Sequence, residues 1–441
     1  MRRVSITSRT LLLAFATQII FPHIGLANGR FPATVDIRFQ AGSESKLLVP
    51  ATFGLLLSND DGASFRWVCE EAIGYGGTYD PDYAVAANGT IYATTFAGLR
   101  FSDDGGCSWR EVAGPFSGKW VGEVEVATDQ VVWATTSTGN TANDVYKSVA
   151  GGPFQSVGLL RDDVWWLTVQ PAPSPASTVY VTGFVPGGVG ETSSSLLART
   201  KNGGDTWSEL PTNDFDLDDD SQILIEAVSP TDPNVVFARV LRARKPLGDD
   251  IYRTLDGGQT WERILSMPGE IRAFHLRKDG KAVIAGIDSP CDGSASELEG
   301  CVVVAPNAGL PGTPKWEKPQ SQPRAACFAE NENGALFSCA ANWEPDEFAL
   351  GTSLTGQEWN KVMQFSQIVG PLACPEETIQ ARTCAKLRWA DLCEQLSICN
   401  DTPRSVAVPE TSGCDHGASH GLGLCLLGLI FIVGFSRRLR D

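Results

Sequence analysis

The chain has 441 residues, 42% hydrophobic and 20% charged, and its 52 acidic against 35 basic residues give a formal net charge of −17. That composition supplies a large buried core and excludes a disordered polyelectrolyte, and the acidic excess argues against nucleic acid as a partner. Twelve cysteines, four histidines and no CxxC pair point to disulfides in an oxidising compartment rather than to a zinc site.

In chain order, Arg2, Arg3 and Arg9 precede an apolar run from Leu11 to Phe21, and Gly25-Leu26-Ala27 offers small residues for cleavage. Residues 1–27 therefore read as a secretory signal. Residues 28–370 are organised by a repeated phrase: a hydroxyl residue, any residue, Asp or Asn, any, Gly, any, hydroxyl, aromatic. It occurs at Ser58 to Phe65, Ser102 to Trp109, Thr200 to Trp207 and Thr254 to Trp261. Asp60, Asp104, Asn202 and Asp256 are placed to accept bonds from backbone amides a residue or two ahead. Gly62, Gly106, Gly204 and Gly258 permit a positive φ, and Phe65, Trp109, Trp207 and Trp261 can bury a ring as the next strand begins. Each phrase thus predicts a tight turn between two strands, with no catalytic role for its Asp. Faded copies start at Ser148, near Ala305 and at Thr352, so seven starts recur at intervals of roughly 44 to 54 residues, the length of a four-stranded propeller blade. Runs rich in β-branched and aromatic residues precede each phrase, such as Tyr83 to Ala86, Thr90 to Thr95 and Gly98 to Phe101, and predict the other three strands.

Beyond the repeats, residues 371–400 read as a cysteine-rich helical module. Pro375 can open a helix over Glu376 to Leu396, with Trp389, Leu392 and Leu396 on one side. Residues 401–413 read as a spacer. Residues 414–441 form a tail in which Leu422 to Phe435 is apolar and Arg437, Arg438 and Arg440 follow. That run spans about 21 Å as a helix, short for a bilayer core of about 30 Å.

Excluding Cys414 and Cys425 in the tail, ten cysteines remain, enough for five disulfides. Cys327 and Cys339 flank a hairpin turned at Asn331 to Gly334 and are expected to face each other, and Cys291 and Cys301 bracket a loop of the sixth blade. Cys69 is expected to meet Cys107. Cys384 and Cys393 lie about 13 Å apart on an unbroken helix, so each must pair outside it or the helix must break, leaving Cys374 and Cys399 as further partners. The densest acidic run, Asp214, Asp216, Asp218, Asp219 and Asp220, reads either as a solvated loop or as a calcium loop in which Asp214, Asp216, Asp218 and Asp220 hold the ion. It lacks the turn glycine, and position twelve is Ile225. No other cofactor is indicated.

The repeated phrase resembles the Asp box, or BNR repeat, of sialidases and sortilin-like proteins, which implies an all-β, seven-bladed propeller. Gly413-Cys414-Asp415-His416 with the apolar run and terminal arginines resembles the MYXO-CTERM sorting signal of myxobacterial surface proteins. That resemblance implies processing at Cys414 and anchoring at the outer surface or envelope of a Gram-negative, myxobacterial cell, with a plain membrane tail as the alternative. Sialidases carry Arg-Ile-Pro near the first strand, whereas this chain has Val35-Asp36-Ile37-Arg38-Phe39, without the proline. Gly-x-Ser-x-Gly, His-Glu-x-x-His and phosphate-loop motifs are absent. The expected function is therefore binding of an extracellular protein or polysaccharide through the loops between second and third strands, which are long at 185–195, 242–249 and 289–300. Two alternatives stand beside it. One is a glycoside hydrolase, sialidase-like or xyloglucanase-like, with carboxylates in the channel. The other is an assembly factor, by resemblance to the seven-bladed photosystem II assembly factor.

Overall fold

A computed structural model describes residues 30–188, 192–243, 248–287, 289–294 and 300–399. The signal, spacer and tail segments, Cys414 included, lie outside them. Among the described residues no helix is long and apolar enough to cross a membrane.

Seven antiparallel sheets follow one another along the chain as seven blades. Blade 1 runs outward from Arg38–Gln40 through Ser43–Ala51 and Gly54–Ser58 to Phe65–Val68. Blades 2 to 7 cover 83–111, 121–156, 165–209, 222–267, 273–305 and 327–363. Second strands such as Val132–Thr136 and Val283–Ile287 are buried at every residue, because both faces of the sheet meet a neighbouring blade. Outermost strands shrink to the exposed pairs Arg110–Glu111, Gln155–Ser156 and Ser208–Glu209. Two-residue exposed edges of this kind offer little template for pairing with another chain.

The Asp boxes join third to fourth strands and close on themselves. In the first box, Ser58 Oγ donates to Asp60 Oδ1 at 2.8 Å and accepts Gly62 N–H at 2.9 Å. Ser64 donates its N–H to Asp60 Oδ1 at 3.0 Å and its hydroxyl to Oδ2 at 2.7 Å. The same set recurs around Asp256. The principal amide is thus four residues ahead of the Asp, farther than the sequence suggests, because the glycines at φ 83° and 88° coil the backbone back under the carboxylate. Phe65, Trp109 and Trp261 are buried. The faded boxes keep less. Ser148 Oγ donates to Gly152 O, and the working hydroxyl of the last box is Ser353, one residue later than the pattern places it. In blade 6, where Ala305 replaces the hydroxyl, the fourth strand is reduced to a bridge between Val304 and Glu317, so this blade has three strands instead of four.

Neighbouring blades are stapled at the boxes by basic side chains that directly precede the box hydroxyl. Arg199 Nη1 donates to Gly257 O at 2.8 Å, and Lys147 Nζ donates to Gly203 O. Arg253, fully buried, reaches Ala308 O, Leu310 O at 2.6 Å and Gly312 O at 2.9 Å. A Cβ at Gly257 would lie 1.9 Å from Arg199 Nη1, so the glycine is needed for the approach as well as for the turn.

The four nested strands of blade 1 come from the N-terminal side and those of blade 7 from the C-terminal side, so no blade is completed by interleaving the two chain ends, and the C-terminal segment is added at the outer edge of blade 1. Cys327, Ala349, Leu350, Met363 and Phe365 pack into one core with Ile37, Leu47, Leu55 and Trp67. The chain then returns as Ile368–Pro371, a fifth strand parallel to Phe65–Val68, and continues into a helix with a π-segment, Gln380–Arg388, followed by Trp389–Gln395. Leu392 and Leu396 are buried in that core, and Trp389 packs against it. The helix starts four residues later than the sequence reading places it. Ten described cysteines form five disulfides, of which Cys327–Cys339, Cys291–Cys301 and Cys393–Cys399 are local. Cys69 does not meet Cys107, because the C-terminal segment lies between blades 1 and 2. It brings Cys384 to Cys69 and Cys374 to Cys107, with Cα separations of 5.5 and 5.4 Å. The helical segment is therefore a clasp on the propeller, and Gln380 extends it by donating to Trp67 O at 2.7 Å and accepting Cys69 N–H at 3.3 Å.

Candidate functional site

Ladder register sets which inner-strand side chains face the axis. Arg38, Ala84 and Glu125 occupy one level, each paired through its second strand with the residue just before the box hydroxyl: Leu57, Phe101 and Lys147. Two residues earlier, on the same side of the strand, stand Asp36, Asp82 and Glu123. Three successive blades thus place an acid at one position. This period is present in the sequence but is not adjacent to any motif, so sequence reasoning reached Asp36 and Arg38 and missed Asp82, Glu123 and Glu125.

Arg38 is the hub. Its Nε lies 2.7 Å from Asp36 Oδ2, an ion pair whose angle does not make a hydrogen bond, Nη2 donates to Asp82 Oδ1 at 3.0 Å and Nη1 to Glu125 Oε1 at 3.4 Å. Asp82 and Glu123 also bind the next blade. Asp82 Oδ2 accepts Val124 N–H at 2.8 Å, and Glu123 Oε2 accepts Val169 N–H while its Oε1 takes Gln170 Nε2 at 3.2 Å. One blade further, Thr168 Oγ1 accepts Ile225 N–H at 3.3 Å from the corresponding place. The acids are thus members of an inter-blade ladder as well as lining of the axis.

Asp82 and Glu125 side chains are 22% and 19% exposed, yet the surrounding blades desolvate them. Burial pushes Asp82 up to about 7 against the pull of Arg38, with Glu125 adding to the rise. Burial also raises Glu123, helped by Glu125 and Asp82, and it raises Glu125 against Arg38. In blade 5, burial raises Asp249 to about 6 despite Arg239, which lies 3.4 Å away and also binds Glu226 at 2.6 Å. Glu330 behaves oppositely: His275 at 3.1 Å, Lys278 N–H and Arg277 outweigh its burial and hold it at about 2.

These shifts fix the sign of the pH dependence. Asp82 and Asp249 keep protons in the folded state that the unfolded chain releases near pH 4, so their contribution falls as pH rises from about 4 to about 7. Glu330, and Asp256 at about 2, contribute stability that is present above about pH 4 and lost as pH falls toward 2. Thermal stability is predicted to peak near pH 4–5 and to decline toward pH 8, with Asp82→Asn flattening the decline. A midpoint that climbs from pH 5 to pH 8 contradicts this assignment.

The end of the propeller opposite the boxes carries aromatic side chains. Tyr79 precedes the inner strand of blade 2, Phe96 sits in that blade's turn between second and third strands, and Trp120 directly precedes the inner strand of blade 3. Their rings are contiguous: Tyr79–Phe96 centroids are 4.4 Å apart and Phe96–Trp120 5.6 Å, with tilts of 45° and 46°. Phe96 is 55% exposed. Phe31 and Trp343, both exposed, pair beside blade 7 at the same end, whereas Phe184, against Trp165 in blade 4, is buried. The loops at 185–195, 242–249 and 289–300 lie in part outside the described residues.

The acidic run at 214–220 does not converge. Asp214 accepts Trp261 N–H at 2.9 Å, Asp216 lies 3.5 Å from Arg263 and Asp218 bonds Ser221. Among the described residues no group of three or more His, Cys, Asp or Glu is placed to hold a metal.

No family model matches the chain, and no curated protein matches it. Among solved structures it is similar to the GH74 xyloglucanase from Xanthomonas campestris, at 14% identity and a TM-score of 0.40, over 74% of this chain and 60% of that one. It is also similar to YCF48 from Cyanidioschyzon merolae, at 11% identity and a TM-score of 0.45, over 71% of this chain and 96% of that one. The chain thus spans about 60% of the length of the xyloglucanase, and these likenesses concern the fold alone.

Proposed function

We propose that this chain is a secreted, surface-anchored propeller that binds an extracellular protein or polysaccharide through the rim opposite its Asp boxes. One observation carries the reading: exposed aromatic side chains gather at that rim, whereas the channel carboxylates already serve the inter-blade ladder. Exposed aromatics on a rigid scaffold are the side chains that dominate recognition surfaces. The signal-like start, the MYXO-CTERM-like tail and five disulfides are consistent with work outside the cytoplasm.

Hydrolysis is the second reading, favoured by the single observation that Asp82, at about 7, has the acidity of a general acid and lies beside Glu125 on a shared arginine. The purified full-length protein should retain envelope proteins or polysaccharides without degrading them, and Phe96→Ala should weaken retention. Turnover that disappears in Asp82→Asn would replace binding by hydrolysis. Retention unchanged by any rim substitution would remove the rim as the binding face.

A further inference from the structure

We propose that the box-side seam between blades 1 and 2 is a seat for one basic side chain, arginine or lysine, of a partner polypeptide. This goes beyond the rim reading and does not depend on it.

The sister seams define the seat. In blades 3, 4 and 5 the residue just before the box hydroxyl is a cation paired with an aromatic of the second strand: Lys147 with Trp133, Arg199 with Tyr180 and Arg253 with Phe237. Lys147 and Arg199 lie over those rings, 5.9 Å from the centroids. Each cation crosses to the next box and donates to its backbone: Lys147 to Gly203 O, Arg199 to Gly257 O, and Arg253 to Ala308 O, Leu310 O and Gly312 O. At the seam of blades 6 and 7, Arg277 Nη1 donates to Leu354 O at 3.1 Å. The boxes of blades 4 to 7 thus each take a cation from the preceding blade. In blade 2 the position holds Phe101, whose ring lies beside Tyr92.

Blade 1 departs from this pattern. Leu48 and Leu57 stand at the two positions, and they are shorter than the aromatic and cation they replace. A cavity of about 230 Å³ lies there, lined by both leucines and by Asp103 and Gly105 of the next box. It has many times the room that one water needs. Gly105 corresponds to Gly203 and Gly257. A Cβ on it would meet nothing within 4 Å, whereas a Cβ on Gly257 would lie 1.9 Å from Arg199 Nη1. Among the described residues none donates to Gly105 O. The cavity therefore offers apolar walls for an aliphatic stem and the carbonyl that a cation bonds at the sister seams. Asp103, paired with Arg110, adds negative charge, and the net charge of −17 attracts a basic partner. Lys46 also lines the cavity and is exposed, so its ammonium opposes an incoming cation.

The test is saturation-transfer NMR on the full-length protein with a Gly-Ser peptide carrying one central arginine. The same peptide with citrulline keeps the shape and loses the charge. The arginine side chain should receive saturation, and the citrulline peptide should bind at least about tenfold more weakly. Leu57→Arg supplies the seat with its own cation, as Arg199 does, and should remove binding. Lys46→Gln should strengthen it, and Phe96→Ala at the rim should leave it unchanged. Equal binding of the two peptides, no binding of the arginine peptide, undiminished binding to a folded Leu57→Arg protein, or weaker binding to Lys46→Gln each overturns the proposal. If Leu57→Arg does not fold, the citrulline comparison and Lys46→Gln decide. Arginine binding that is lost in Phe96→Ala would place the cation at the rim, so that the seat fails and the rim reading stands.

Discussion

Replacing all four cysteines of the Cys69–Cys384 and Cys107–Cys374 bonds by alanine is expected to cost at least about 5 kcal/mol, the upper end of the range for one disulfide. The reason is the length of chain they close, with sequence separations of 315 and 267. The last segment is held on blade 1 by the short parallel pairing of Ile368–Pro371 with Phe65–Val68, and the clasp bonds fix it there against the first two blades when thermal motion opens the seam. Removing Cys393–Cys399, whose separation is 6, should cost only about 2 kcal/mol on the same chain-entropy estimate. Urea unfolding of the two variants checks the order. Equal losses would show that the bonds act through local packing and not through closure.

Arg253→Met is expected to destabilise by about 3 to 5 kcal/mol, although it removes no apolar contact. The guanidinium is fully buried and donates to the carbonyls of Ala308, Leu310 and Gly312 as well as to Glu262. Methionine fills much of the volume and leaves those carbonyls without a donor. Arg161→Met, at an exposed pair with Asp163, should change stability by less than about 1 kcal/mol. Guanidinium denaturation separates the two cases. Because Arg253 replaces the missing hydrogen bonds of the faded sixth box, the loss should appear first as hydrogen exchange at 305–317.

The difference between these two arginines illustrates what the sequence could and could not carry. The boxes were legible because every bond in them is local: Ser58, Asp60, Gly62 and Ser64 need only each other. Seven blades, the inner strands and the Cys327–Cys339 hairpin followed from that locality and from period. Bonds between distant segments were not legible. Cys69 and Cys107 both lie near the seam of blades 1 and 2, so sequence position alone pairs them. Nothing in the intervening sequence shows that residues 368–395 return to fill that seam. Likewise Asp82 looks like one carboxylate among many until the ladder sets it level with Asp36 and Glu123. Phe96 and Trp120, 24 positions apart, come into contact only when two blades stand side by side.

The central claim is that the boxes build the propeller and the opposite rim binds. Paired measurements of thermal midpoint and ligand affinity on Asp256→Ala and Phe96→Ala test it most directly. Asp256→Ala removes bonds from Thr254, Gln259 and Thr260 and should lower stability by about 1 to 2 kcal/mol with affinity unchanged. Phe96→Ala should leave the midpoint in place and weaken affinity about tenfold. An Asp256→Ala protein that stays as stable as the parent but loses its ligand would contradict the account.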